Sequence, residues 1–94
     1  MKTIMIDVRE KDEFEDEHVA GSILIPLSEF EKNAPAILSK FADHKITVMC
    51  RSGKRAGIAK EQALKLGIPG TTFDVYEGGI LKWKEEGKPT IKKS

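Results

Sequence analysis

Short apolar runs, too brief to be helices, alternate along this chain with segments whose apolar residues recur every three or four positions. Ile4-Met5-Ile6-Asp7-Val8, Ser22-Ile23-Leu24-Ile25, Ile46-Thr47-Val48-Met49 and Thr71-Thr72-Phe73-Asp74-Val75-Tyr76 read as strands, the second ended by Pro26. Between them, a short helix is expected around Phe14 within Glu10 to Glu17. Ser28 is placed to N-cap another, with Glu31 completing a capping box, and Pro35 to open a third that runs to Phe41. From Lys54 onward Ala56, Ala59, Ala63 and Leu66 share one helical face, with Gly67 as the stop. Ile68-Pro69-Gly70 is a connector and Glu77-Gly78-Gly79 a turn. A last helix carries Ile80, Leu81 and Trp83 to Gly87, and 88–94 reads as a tail. Such alternation predicts a small, open, mostly parallel α/β sheet flanked by helices on both faces. The 94 residues are enough for one domain, 1–94, whose core runs from about residue 3 to about residue 87.

Charge removes several classes of function. Sixteen basic side chains face fifteen acidic ones, a balance with no general attraction to nucleic acid or to an anionic membrane surface. No apolar stretch approaches the roughly 18 residues of a spanning helix, and the N-terminal apolar segment is too short for a signal peptide, so the expected location is cytoplasmic. The one cysteine, Cys50, excludes an internal disulfide and a paired-cysteine redox or zinc arrangement, so any resolving thiol comes from another molecule. His18 and His44 lack metal-ligand spacing, and no metal is expected.

Cys50-Arg51-Ser52-Gly53-Lys54-Arg55 sits where a strand gives way to a helix. In a parallel sheet, sites lie beyond the carboxyl ends of the strands, and Cys50, Asp7-Val8-Arg9 and Glu77-Gly78-Gly79 all follow strands to that edge. A tight loop before a helix N-terminus gathers N–H groups and the positive end of the helix dipole into a cup that holds an anion. Such placement, with Lys or Arg beside it, lowers a cysteine pKa from about 8.5 to roughly 3.5–7.5. The plainer reading is that a lone cysteine is a small core hydrophobe. Against it stand three cations within five positions and a glycine that permits close backbone approach. Cations at a helix N-terminus oppose its dipole by roughly 0.3–1 kcal/mol each, which implies an anion nearby.

Four segments together resemble the rhodanese family of sulfurtransferases over nearly the whole chain. They are Ile6-Asp7-Val8-Arg9-Glu10 with Phe14; His18-Val19-Ala20-Gly21-Ser22 with Ile25-Pro26-Leu27; the loop Cys50 to Arg55; and Glu77-Gly78-Gly79-Ile80 with Trp83, Gly87 and Pro89. Glu17 stands where the family usually has glycine, Tyr76 where leucine is common, and Ala56 where serine is frequent. The resemblance implies a rhodanese fold and a persulfide on Cys50 as a covalent intermediate, with no cofactor. It also implies a loop whose amides surround the sulfur. The implied partners are a small anionic sulfur donor such as thiosulfate and a cyanide or thiol acceptor, thioredoxin or another sulfur-handling protein included.

Within that reading Cys50 is the nucleophile, its thiolate expected to be kept ionised and reachable by the cradle, and Arg51, Ser52, Gly53, Lys54 and Arg55 form the substrate loop. Arg55 either contacts substrate or braces the loop through a carboxylate, since its fork suits both. Asp7 is expected to support the loop by accepting hydrogen bonds from it. Arg9 is expected to pair with Glu10 or Glu13, His18 to be structural, and Trp83 to pack the last helix. Two rivals remain. One is a sulfur carrier or regulatory module serving a protein partner. The other is a cysteine phosphatase or arsenate reductase, which needs arginine where Ala56 stands.

Overall fold

The computed structural model describes residues 2–68 and 73–93. Five residues of β1 (Thr3–Asp7) pair in parallel with β4 (Lys45–Met49), Ile4 opposite Ile46 and Ile6 opposite Val48. On one side of this central pair lies the two-residue β3 (Ile23–Leu24), and on the other β5 (Phe73–Val75), giving the order β3-β1-β4-β5 with every pairing parallel. The expected strand 71–76 is seen as β5; Thr71 and Thr72, like Pro69 and Gly70 of the connector, lie outside the described residues.

Strand alternation sorts the core into two layers. Ile4, Ile6 and Val8 pack with Ile46, Val48 and Cys50 against Phe30, Ala34 and Leu38 of α2 (Phe30–Leu38) and Ala56, Ala59 and Ala63 of α3 (Lys54–Lys65). Met5 and Met49 face the other way, toward Ile80 and Trp83 of α4 (Gly79–Glu85) and Val19. Helices therefore cover both faces, as the alternation predicted. Each layer buries side chains worth about 1.5–3 kcal/mol apiece when fully removed from water.

Several local readings change. α2 begins five residues before Pro35, off a 3₁₀ turn at Leu27–Glu29, because Phe30, Ala34 and Leu38 recur at helical spacing and are all buried. Pro35 lies inside this helix and removes one N–H from it; a 3₁₀ turn, Ser39–Phe41, follows. Ser28 does not cap α2: its hydroxyl donates to Glu10 Oε1 at 2.9 Å. The capping box belongs to α1 (Lys11–Asp16), where Glu10 and Glu13 exchange backbone and side-chain bonds.

The expected tail is not loose. Ile91–Lys92 forms β6, antiparallel to β2 (Glu17–His18), in a second small sheet. The Glu17 carboxylate, standing where the rhodanese pattern has glycine, accepts bonds from Lys84 Nζ at 2.8 Å and Thr90 Oγ1 at 2.5 Å, while Trp83 Nε1 donates to the Pro89 carbonyl at 2.9 Å. Among the described residues no helix is long and apolar enough to cross a membrane.

Candidate active site

Cys50 follows directly on β4, and α3 begins four residues later, so the chain reverses within a loop that only special backbone geometry closes. Gly53 supplies it as the N-cap of α3 with φ of 107°, a conformation L side chains rarely adopt. The turn points the Gly53 N–H at the sulfur, at 2.9 Å. Among the described residues this is the one backbone amide bonded to Sγ, a narrower cradle than the ring of amides implied by the resemblance. The twelve-residue α3 adds the positive end of its dipole at the same place.

The loop is held from behind by main chain. Ile80 N–H donates to the Cys50 carbonyl at 2.8 Å, and Leu81 N–H to the Arg51 carbonyl at 3.3 Å. These bonds require α4 to approach so closely that a Cβ on Gly79 would stand 2.3 Å from the Cys50 carbonyl oxygen and 2.4 Å from that of Arg51. Glycine is thus dictated at 79 by contact with backbone that cannot step aside.

Arg55 meets a carboxylate, as a brace requires. Its Nη1 and Nη2 donate to Oε1 and Oε2 of Glu13 at 2.6 and 2.9 Å, a two-bond fork across 42 positions of sequence. The Arg55 bond, aided by the Glu10 amide, holds Glu13 down at about 2 against an ordinary 4.5, despite partial burial. Glu13 in turn raises Arg55 above its usual value, with Cys50 and Asp7 adding to the effect. The anion that balances Arg55 at the start of α3 is therefore this carboxylate.

Asp7 and Arg9 depart from expectation. Both are buried, and they satisfy one another: the Arg9 backbone N–H and Nε donate to Asp7 Oδ1 at 3.0 Å each, and Nη2 to Oδ2 at 2.8 Å. Asp7 accepts nothing from residues 50–55 among the described residues; its carboxylate is engaged by Arg9 instead of the loop it was expected to support. Arg9 pairs with Asp7 rather than with Glu10 or Glu13, and its Nη2 also donates to the Glu17 carbonyl at 2.6 Å. Residues i and i+2 of an extended chain face the same side, a signal that could have found this pair. His18 stacks on Phe14 with ring centres 4.0 Å apart, and its Nδ1 bonds the Phe14 carbonyl.

Cys50 is only 1% exposed, a correction to the expectation of a reachable thiol. Its burial follows from position: as the third alternate residue after Ile46 and Val48 it points to the α3 face, where three alanines let the helix lie close. Arg51, Ser52 and Lys54 above it are exposed. A cavity of about 350 Å³ lies elsewhere, near the start of β4, lined by Pro35, Phe41, Ile46, Leu66 and Ile68 among others. It is remote from the sulfur and takes no part in the site. The stem of Lys82 lies over Gly78, whose backbone abuts Gly53, a proximity that the sequence does not signal.

Comparison with known proteins agrees with this geometry. The model of the Rhodanese-like domain matches residues 1–86. Thiosulfate sulfurtransferase PspE of Escherichia coli K12 is 40% identical over 88 residues, covering 93% of this chain and 77% of that protein. The uncharacterized protein slr1261 of Synechocystis is 40% identical over 90 residues, covering 95% of this chain. The chain spans only 47%, 61% and 66% of the lengths of three of the curated relatives it matches. The crystal structure of a rhodanese-related protein from Thermoplasma volcanium superposes with a TM-score of 0.82 at 35% identity, covering 95% of this chain and 83% of that one. A cysteine clasped between strand and helix, on a parallel sheet with these relatives, places the chain in the rhodanese-like domain family, whose members include sulfurtransferases.

Proposed function

We propose that the chain is a sulfurtransferase that carries sulfane sulfur on Cys50, with thiosulfate as a donor and cyanide or a thiol as acceptor. The observation that carries this reading is the Gly53 N–H bonded to Sγ at the N-terminus of α3, which favours negative charge on the sulfur. The Cys50 thiolate attacks the outer sulfur of thiosulfate, the S–S bond breaks, and sulfite leaves with the bonding pair. The acceptor then attacks the outer sulfur of the persulfide, and Cys50 departs as thiolate. No cofactor enters this cycle, and the cytoplasm is its proposed setting.

Burial of Cys50 favours a second reading within the same chemistry, a carrier that exchanges sulfur with a protein partner and turns over slowly with small molecules. The phosphatase reading loses support because the fork of Arg55 is already spent on Glu13. Mass spectrometry of the intact chain after incubation with thiosulfate tests the core of the proposal: the wild type gains one sulfur atom and Cys50→Ser gains none. A folded wild type that stays unmodified by both thiosulfate and polysulfide refutes it.

A further inference from the structure

Three cations at the loop keep their charge unpaired. Among the described residues Arg51, Lys54 and Lys82 are exposed and, like most lysines of the chain, make no ion pair, whereas the other loop cation, Arg55, is paired with Glu13. Packing links the three. A Cβ on Gly78 would meet Lys82 Cβ, Cγ and Cδ at 2.6, 3.1 and 3.7 Å, so the lysine stem runs along that glycine. The Gly78 nitrogen lies 3.4 Å from the place a Gly53 Cβ would take, Lys54 follows Gly53, and the Gly53 amide holds the sulfur. Leu81, joined to the Arg51 carbonyl through its N–H and preceding Lys82 on α4, is 45% exposed. Of the nearby carboxylates, Glu86 is engaged by the Tyr76 hydroxyl and Lys88, while Glu77, on the turn before Gly78, and Glu85, one turn along α4 from Lys82, are exposed, leaving the three cations in the majority.

We propose that this rim of Arg51, Lys54 and Lys82 around Leu81 docks a protein acceptor whose thiol is flanked by Asp and Glu. The inference rests on the sulfurtransferase reading and names its acceptor. A small dianion gains from the cations alone and nothing from an exposed leucine. An apolar side chain framed by charge matches the anatomy of a protein interface, and a surplus of one sign selects and steers a partner of the other. In the transfer, the acceptor thiolate attacks the outer sulfur of Cys50–S–S⁻, the S–S bond breaks, and Cys50 leaves as thiolate. The acceptor becomes the persulfide, and nothing is oxidised overall.

The test uses the full chain with Cys50 preloaded as persulfide by inorganic polysulfide, so that it runs whether or not thiosulfate is a donor. Three synthetic peptides, each with one cysteine flanked by Asp and Glu, by Ser and Gly, or by Lys and Arg, serve as acceptors at low salt. The acidic peptide is expected to react about tenfold faster than the neutral one and the basic peptide slowest, the order of magnitude of electrostatic steering. The preference collapses near 1 M salt, where the screening length is about 3 Å. Lys82→Glu removes most of the preference while leaving the neutral peptide unaffected, and Leu81→Ser removes the added rate that a leucine beside the cysteine gives the acidic peptide. Equal rates for the three peptides at low salt, or a preference untouched by Lys82→Glu, overturns the proposal. Failure of thiosulfate to load Cys50 bears instead on the donor.

Discussion

Replacing Glu13 by Gln keeps the shape of its side chain and removes the charge that pairs with Arg55, so it isolates what the brace contributes. Both partners are 30% exposed, which places the pair between surface bridges, worth about 0.2–1 kcal/mol, and desolvated forks worth several. The two short bonds and the displacement of Glu13 from 4.5 to about 2 put it toward the upper part of that range. A shift of that size corresponds to about 3 kcal/mol at full strength; partial exposure and salt reduce this to roughly 1–2 kcal/mol. The expected coupling between Glu13→Gln and Arg55→Met in a double-mutant cycle, read by urea unfolding at pH 7, is therefore about 1–2 kcal/mol. The sign with pH follows. The unfolded chain takes up a proton as pH falls through 4.5, and the folded chain does not until about 2. The stabilisation is complete above 4.5, declines between the two values and is gone below about 2, and Glu13→Gln flattens that part of the profile. For sulfur loading, a brace predicts that Glu13→Gln and Arg55→Met slow the reaction alike, with little change in KM for thiosulfate. Additive stabilities within about 0.3–0.5 kcal/mol, or an Arg55 variant that raises KM while Glu13→Gln does not, refutes bracing and returns Arg55 to substrate contact.

Three further outcomes are expected. Gly79→Ala drives a methyl into the Cys50 and Arg51 carbonyls, costing about 3 kcal/mol or more by thermal or urea unfolding, and a stable variant with normal loading contradicts the contact. Asp7→Ala strands the buried Arg9 guanidinium and lowers stability by about 3–5 kcal/mol, whereas Asp7→Leu with Arg9→Met recovers most of the loss in the same assay. Ending the chain at Gly87 removes the Thr90 bond to Glu17, the Pro89 acceptor of Trp83 and the β6 pairing; a loss of about 1–3 kcal/mol and faster amide exchange in α4 are expected.

What could be seen in the sequence was local. The central strands, α3 and the position of Cys50 between them follow from short-range periodicity and from Gly53 and Gly67, because a buried strand and an alanine-faced helix write their pattern into adjacent residues. β2 and β6 are two residues each, too short to carry a period, so the C-terminal segment read as a tail although Glu17 holds it. Glu13 and Arg55 meet across 42 positions, and nothing near either names the other. Lys82 reaches the rim only because α4 folds its first turn over two glycines. The burial of Cys50, by contrast, was available: Ile46, Val48 and Cys50 alternate, and the last of an inward-facing series points inward too.

That burial and the proposed chemistry fit together once the supports of the loop are compared. The Cys50 carbonyl is fixed by α4, the far end of the loop by Arg55 on Glu13, and the floor by small alanines of α3. Between those anchors Arg51, Ser52 and Lys54 lie exposed, while the sulfur is packed on the α3 face and accepts the Gly53 amide. A neutral amide bond is worth only about 0.5–1.5 kcal/mol net, so that hydrogen bond alone does not account for the shelter of the sulfur; packing on the α3 face does the larger part. On the sulfurtransferase reading the sulfur is sheltered at rest, and exchange requires movement of the loop between its two anchors rather than of the anchors themselves.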